Sequence, residues 1–189
     1  GSGIDADLNE LGQKQAAAFF AHYQDLPIDK IYTSALKRTH QSVKGFIDKG
    51  LPWEQHDGLN EISWGNKEGK SPNTEDDLYY KNLTKTWRDG NVHVQSEEGE
   101  SPVEVLERQK PVVEIILSRP EEKAILIAMH GRAMRVLLTH LFNAPLHHMD
   151  NYAHQNLCLY HLQFDYSTQE FRLVKGNCVI HLAGLPESM

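Results

Sequence analysis

Three short stretches of the 189-residue chain hold the residue types from which an anion site is made. The first is Tyr32-Thr33-Ser34-Ala35-Leu36-Lys37-Arg38, a β-prone segment running into a helical pattern. Arg38 falls in the first helical turn, where the helix dipole disfavours a cation unless an anion sits beside it. A phosphate or carboxylate ligand would resolve that conflict, although taken alone Arg38 reads more readily as a solvated or salt-bridged surface arginine. The second stretch, Met129-His130-Gly131-Arg132, sets an imidazole at the mouth of an apolar run and a glycine where a ligand can approach the backbone. By itself His130 is as readily structural as catalytic. The third, Leu59 to Gly69, carries Glu61 and Glu68. Either is a general acid or a turn carboxylate in water, and composition does not choose between them.

The elements around these stretches alternate. Asn9 caps a helical pattern through Leu11, Ala18, Phe19 and Tyr23 that ends before Pro27. A short strand at residues 28–34 leads into a helix whose face holds Leu36, Thr39, Val43, Phe46 and Ile47. Ser101-Pro102-Val103-Glu104 places an N-cap, a first-turn proline and a capping-box glutamate before the apolar face Val105, Leu106, Val112, Val113, Ile116. Ala124 to Met129 has the continuous apolar pattern of a strand buried on both faces, and Met134, Leu137, Leu138 and Leu141 follow at helical spacing. Residues 157–164 and 170–174 predict an edge hairpin. The polar stretch 71–98 reads as a lid-like insertion rather than a linker. Strands alternating with helices predict one α/β domain over residues 1–189, a three-layer α/β/α sandwich with a mainly parallel central sheet. In such sheets ligands bind beyond the C-terminal strand ends, where both Arg38 and His130 fall.

Composition narrows the partners. With 19 Lys+Arg against 26 Asp+Glu the net charge is -7, which argues against a nucleic-acid or anionic-membrane surface. The longest apolar run, Ala124 to Met129, is far too short to span a bilayer. The N-terminal residues lack the pattern of a secretory signal, so the cytoplasm is the expected compartment. Cys158 and Cys178 form no C-x-x-C pair, and His147, His148 and His154 have no metal-ligand spacing. Neither a metal nor another cofactor is expected.

Taken together the segments resemble the histidine phosphatase superfamily, the phosphoglycerate mutase-like branch 1 group, along nearly the whole chain. The resemblance rests on Leu8 to Ala16, on Tyr32 to Ser42, on Leu59-Asn60-Glu61 with Gly65 and Glu68-Gly69, on Gly99-Glu100-Ser101 with Arg108, and on Met129-His130-Gly131. The family's first motif, Arg-His-Gly at the end of its first strand, does not occur in the sequence. The expectation is therefore a single domain lacking its first strand and phosphate loop, roughly 20 residues. The resemblance implies a metal-independent phosphomonoester hydrolase working through a phosphohistidine, its nucleophile in that missing segment. The 189 residues alone are then expected to be inactive. Arg38 and His130 would bind the phosphoryl oxygens, and Glu61 would protonate the leaving oxygen, with Glu68 the alternative. Backbone N–H groups at Gly131 and Arg132 and the side chain of Asn156 would complete the pocket, and the lid with Tyr79, Tyr80, Trp87 and Arg88 would select a small phosphorylated metabolite. The alternatives are a phosphoglycerate mutase and a non-catalytic phospholigand-binding protein; a homodimer is left open.

Overall fold

The computed structural model describes residues 1–69 and 74–186. Helix α1 (Glu10–Tyr23) opens where the Asn9 side chain accepts from the Gly12 N–H at 2.8 Å, satisfying one of the four donors a helix start leaves free. Strand β1 (Lys30–Thr33) follows, then α2 (Lys37–Ser42) and α3 (Lys44–Asp48) in place of the single helix expected there. The break lies at Val43, whose φ of -113° and ψ of 13° depart from the helix and let Val43 and Phe46 both pack against Phe19 and Ile31. Strand β2 (Trp53–Gln55) was not foreseen, because three residues, two of them polar, carry no readable period. The lid-like stretch is mostly a helix, α4 (Thr74–Arg88); residues 71–73 lie outside the described residues. Helix α5 (Pro102–Leu117) starts at the complete Ser101/Glu104 capping box, and β3 (Ile125–Ala128), α6 (Gly131–Leu141), β4 (Leu159–Asp165) and β5 (Glu170–Cys178) complete the order.

Three parallel strands form a sheet in the order β2-β1-β3, with Ile31 beside Trp53 and Leu126. Its central strand is closed on both faces: Ile31, Tyr32 and Thr33 are fully buried. Phe19 of α1 and Phe46 of α3 cover one face, while Val112 and Ile116 of α5 cover the other together with Leu59. A third cluster joins Trp87 and Leu83 of α4 to Val105 of α5 and Ala133 and Val136 of α6. These are the three expected layers. Truncating the fully buried Trp87 would remove the largest of these contacts, a loss of about 3–5 kcal/mol for such a side chain.

The expected edge hairpin exists, but it forms a second sheet, β4 antiparallel to β5, and does not join the first. Between them lies an open cleft, part of a cavity of about 3150 Å³ lined by Leu126, Ile127, Ala128, Leu159, Tyr160 and Leu162. β3 is consequently half-buried along its length and not closed on both faces. The carbonyls of Ala124 and Ala128 accept from Asp29 and Ser34 on the β1 side at 2.7 and 3.2 Å. Because neighbouring residues of a strand direct their backbone groups to opposite sides, Ile125 and Ile127 present theirs to the cleft. Among the described residues no helix is long and apolar enough to cross a membrane.

One polar network ties the sheet to the end of α5. The Tyr32 hydroxyl donates to Glu122 and accepts from Arg119, which also reaches both Glu54 oxygens at 2.9 and 3.0 Å; Lys30 meets Glu54 at 2.7 Å. Lys30, and then Arg119, hold the Glu54 carboxyl down at about 2 against the ordinary 4.5. A depressed carboxyl stabilises the fold fully above its unfolded value and loses that contribution as pH falls through the folded one. Urea midpoints measured between pH 5 and pH 2 should therefore fall more steeply for the native chain than for Glu54→Gln.

Candidate active site

Ser34, Arg38, Glu61 and His130 meet at the C-terminal ends of β1 and β3. Ser34 follows β1 directly, and His130 is the N-cap residue of α6, two places beyond β3. Its Nε2 lies 2.8 Å from Ser34 Oγ, and its Nδ1 accepts from Arg38 Nε at 3.3 Å. Burial first, then the adjacent Arg38 cation, push the imidazole down to about 3 from 6.5, so it is neutral at physiological pH. The remaining guanidinium donors of Arg38 bind the carbonyls of Ile4 and Gly1 at 2.8 and 3.1 Å. The dipole conflict that singled out Arg38 has a second answer in the fold: Asp5 accepts from the Lys37 N–H at 2.7 Å, placing a carboxylate at the α2 N-terminus. Nothing in the pattern of the sequence marked Asp5 for that position.

The structure distinguishes the two glutamates. Glu61 lines the cavity, and its carboxylate sits on the first turn of α6, accepting from Arg132 N at 3.1 Å and Ala133 N at 2.9 Å. The Arg132 N–H expected to meet a ligand is therefore occupied by Glu61. Glu68 closes a turn instead, accepting from Trp64 N at 2.8 Å, and does not line the cavity. Gly131 lines it, but its lack of a side chain also serves packing: a Cβ there would lie 2.8 Å from the His154 ring.

The loop bearing Glu61 is held by one guanidinium. Arg108 bonds Glu100 through Nε at 2.7 Å and Nη2 at 3.0 Å, the carbonyls of Gly58 and Asn60 through Nη1 at 2.8 and 2.9 Å, and the carbonyl of Glu61 through Nη2 at 3.0 Å. All five donors of the fork are used. Asn60 then ties the loop to β1, its side chain accepting from Ala35 N at 2.9 Å. On the other side Gly65 adopts φ +56°, and a Cβ there would stand 2.0 Å from the Glu97 carbonyl, so only glycine fits this crossing.

Of the expected lid contacts, Tyr79 and Arg88 lie off the cavity. The Tyr79 hydroxyl accepts from Glu97 N at 3.0 Å, and Arg88, half-exposed, pairs with Asp150 at 3.7 Å. Tyr80 lines the cavity in their place, with Trp64. Its hydroxyl meets Arg132 Nη2 at 3.1 Å, and Arg132 also pairs with Asp150 and lies over the Trp87 ring at 5.7 Å. The signal for Tyr80 was present in the sequence, since Tyr80, Leu83 and Trp87 fall at i, i+3 and i+7 on one helical face. Asn156 lines the cavity wall. Burial, and then Arg135, push the imidazole of His154, which lies against Gly131, below its ordinary value. Among the described residues no group of three or more His, Cys, Asp or Glu side chains is placed to hold a metal ion.

A parallel α/β sheet whose C-terminal ends bring an imidazole, a guanidinium and a carboxylate around one cavity has them where open α/β sheets take their ligands. The sequence profile of the histidine phosphatase superfamily (branch 1) matches residues 1–177, and the chain belongs to that superfamily. It is 29% identical over 145 residues to a probable phosphoglycerate mutase of Erwinia tasmaniensis, covering 75% of this chain and 66% of that protein. To a 2,3-bisphosphoglycerate-dependent phosphoglycerate mutase of Bradyrhizobium diazoefficiens it is 32% identical over 142 residues, 71% of this chain and 68% of the relative. The chain thus spans about two thirds of the length of these relatives. In fold it is similar to a mycobacterial glucosyl-3-phosphoglycerate phosphatase solved with inorganic phosphate, at a TM-score of 0.82 and 22% identity over 95% of this chain and 91% of that one.

The Arg108 fork gives a direct test. Arg108→Lys keeps the charge but cannot reach Glu100 and three carbonyls at once. It should lower stability by about 2 kcal/mol in urea denaturation, the scale of lost bonds to a charged group.

Proposed function

We propose that the intact protein is a metal-independent phosphomonoester hydrolase acting on a small phosphorylated metabolite through a phosphohistidine. The observation that carries this reading is the pairing of Arg38 with His130 at 3.3 Å on the wall of an open cleft, with the Glu61 carboxylate lining the same cavity. A guanidinium and a buried imidazole are suited to the charge that spreads over equatorial phosphoryl oxygens in the transition state. The position of Glu61 on the same cavity supports a role in carrying the proton. In the first step a histidine nitrogen would form a bond to phosphorus as the phosphorus–oxygen ester bond breaks, and Glu61 would give its proton to the leaving oxygen. In the second Glu61 would take a proton from water, whose oxygen attacks phosphorus as the nitrogen–phosphorus bond breaks.

We assign the nucleophile to a residue outside this sequence. His130 has both ring nitrogens engaged, by Ser34 and by Arg38, so neither offers a free lone pair to attack phosphorus. The cleft between β3 and β4 supports a further strand: both facing edges are open, apolar residues such as Ile127 and Leu162 stand on both walls, and the cleft runs up to His130. One extended strand laid there would join the two sheets and deliver the residue at its end to the site. The second class of reading, a protein that binds phospholigands without turning them over, keeps the same pocket and dispenses with that strand.

Orthovanadate should bind the 189-residue chain without p-nitrophenyl phosphate turnover in EDTA, and Arg38→Ala should weaken binding by about 1.5–3 kcal/mol. The protein extended upstream through the additional strand should turn the substrate over. There Glu61→Gln should slow the reaction by about 10²–10⁴ while vanadate binding persists. Turnover by the 189 residues with phosphate trapped on His130 would relocate the nucleophile, and inactivity of the extended protein would favour the binding reading.

A further inference from the structure

Ser34 is fully buried, although its hydroxyl lies beside the imidazole of the site. Its bonding can be assigned atom by atom. Arg38 Nε carries only a donor, so the His130 Nδ1 it meets at 3.3 Å must offer a lone pair. The proton of the neutral ring is then on Nε2, and it points at Ser34 Oγ, 2.8 Å away. The same oxygen accepts from the Leu36 N–H at 3.1 Å. With both lone pairs in use, the Ser34 hydroxyl donates to Thr39 Oγ1 at 3.0 Å, and Thr39 in turn donates to the Leu36 carbonyl at 2.8 Å. Every proton and acceptor in this chain has one consistent direction.

We infer that Ser34 is a positioning residue that, together with the Arg38 donor, fixes His130 as the Nε2–H tautomer and aims Nδ1 at Arg38 and the anion pocket. The inference rests on the reading of Arg38 and His130 as a phosphoryl site, which it deepens. The oxygen accepts from Nε2 whether or not Nδ1 also carries a proton. The ring can therefore gain a proton at Nδ1 and become a donor to a phosphoryl oxygen without turning. A serine that merely capped the turn through Leu36 would affect stability but would have no hold on the imidazole.

Long-range ¹H–¹⁵N spectra of the histidine-labelled chain test this directly, because they report which ring nitrogen is protonated. Native His130 should show a single Nε2–H form. Ser34→Ala should give mixed tautomers with orthovanadate affinity lowered about tenfold, one charge-assisted bond's worth. Ser34→Cys, which keeps the volume and a weak acceptor, should fall between the two. An Nδ1–H form in the native chain overturns the assignment, as does an unchanged Nε2–H signal in a folded Ser34→Ala with native vanadate affinity. Should Ser34→Ala fail to fold, the Cys variant decides: mixed tautomers support the inference, and a native signal and affinity overturn it. A native chain that binds no vanadate but loses its tautomer lock in Ser34→Ala would overturn the phosphoryl-site reading and leave the role of Ser34 standing.

Discussion

The site depends most on the five-way bond of a single guanidinium. Arg108, projecting from a helix on one side of the sheet, takes up the carbonyls of Gly58, Asn60 and Glu61 and so fixes an irregular loop that has no ladder of its own. Its charge is balanced by Glu100, which also accepts from Ser63 N at 2.9 Å, so loop and countercharge are held as one body. The Glu61 side chain is thereby delivered to the start of α6, where two backbone donors receive it. Without the fork, three carbonyls and a half-buried carboxylate would need other donors, and the catalytic carboxylate proposed here would have no fixed address.

The parts of this arrangement that sequence made legible are those governed by local chemistry. Asn9 and the Ser101/Glu104 box announce their helices because a cap and its helix are neighbours in the chain. Ile31 to Thr33 and Ala124 to Met129 announce their strands because apolar runs need burial. What stayed hidden was set by distance. Asp5 reaches Lys37 across 32 residues, and Arg108 reaches Gly58 across 50. Val43 left the helix to share a core with Phe19, a demand that no window around Val43 contains. Tyr80 could be placed on the Leu83 and Trp87 face of α4 by its spacing, but its partner Arg132 lies 52 residues away. The separation of hairpin from sheet was equally invisible, because each strand had the right composition and the order of strands in space is not written in any one of them.

The polar groups at the two ends of the sheet form two systems with different purposes. Around Tyr32, Glu54 and Arg119 opposite charges are paired, and the network binds β1 and β2 to the end of α5. Around His130 the Arg38 guanidinium, bonded to the carbonyls of Ile4 and Gly1, faces an imidazole that burial keeps neutral. A cation held by neutral carbonyl oxygens beside a neutral imidazole keeps its charge available to an anion at that end of the sheet.

The two outer edges of the strands are guarded unequally. β5 carries Arg172 and Lys175 along its length, charges of the kind that discourage a neighbouring molecule from adding its own strand. β3 reads Ile-Leu-Ile-Ala, with neither charge nor proline, although its free side opens into the cleft. In concentrated solution such an edge is a template for intermolecular ladders and strand exchange, and the place from which fibrous or swapped assemblies would grow. Any strand seated beside it would therefore double as a safeguard, sealing that apolar seam against copies of the chain.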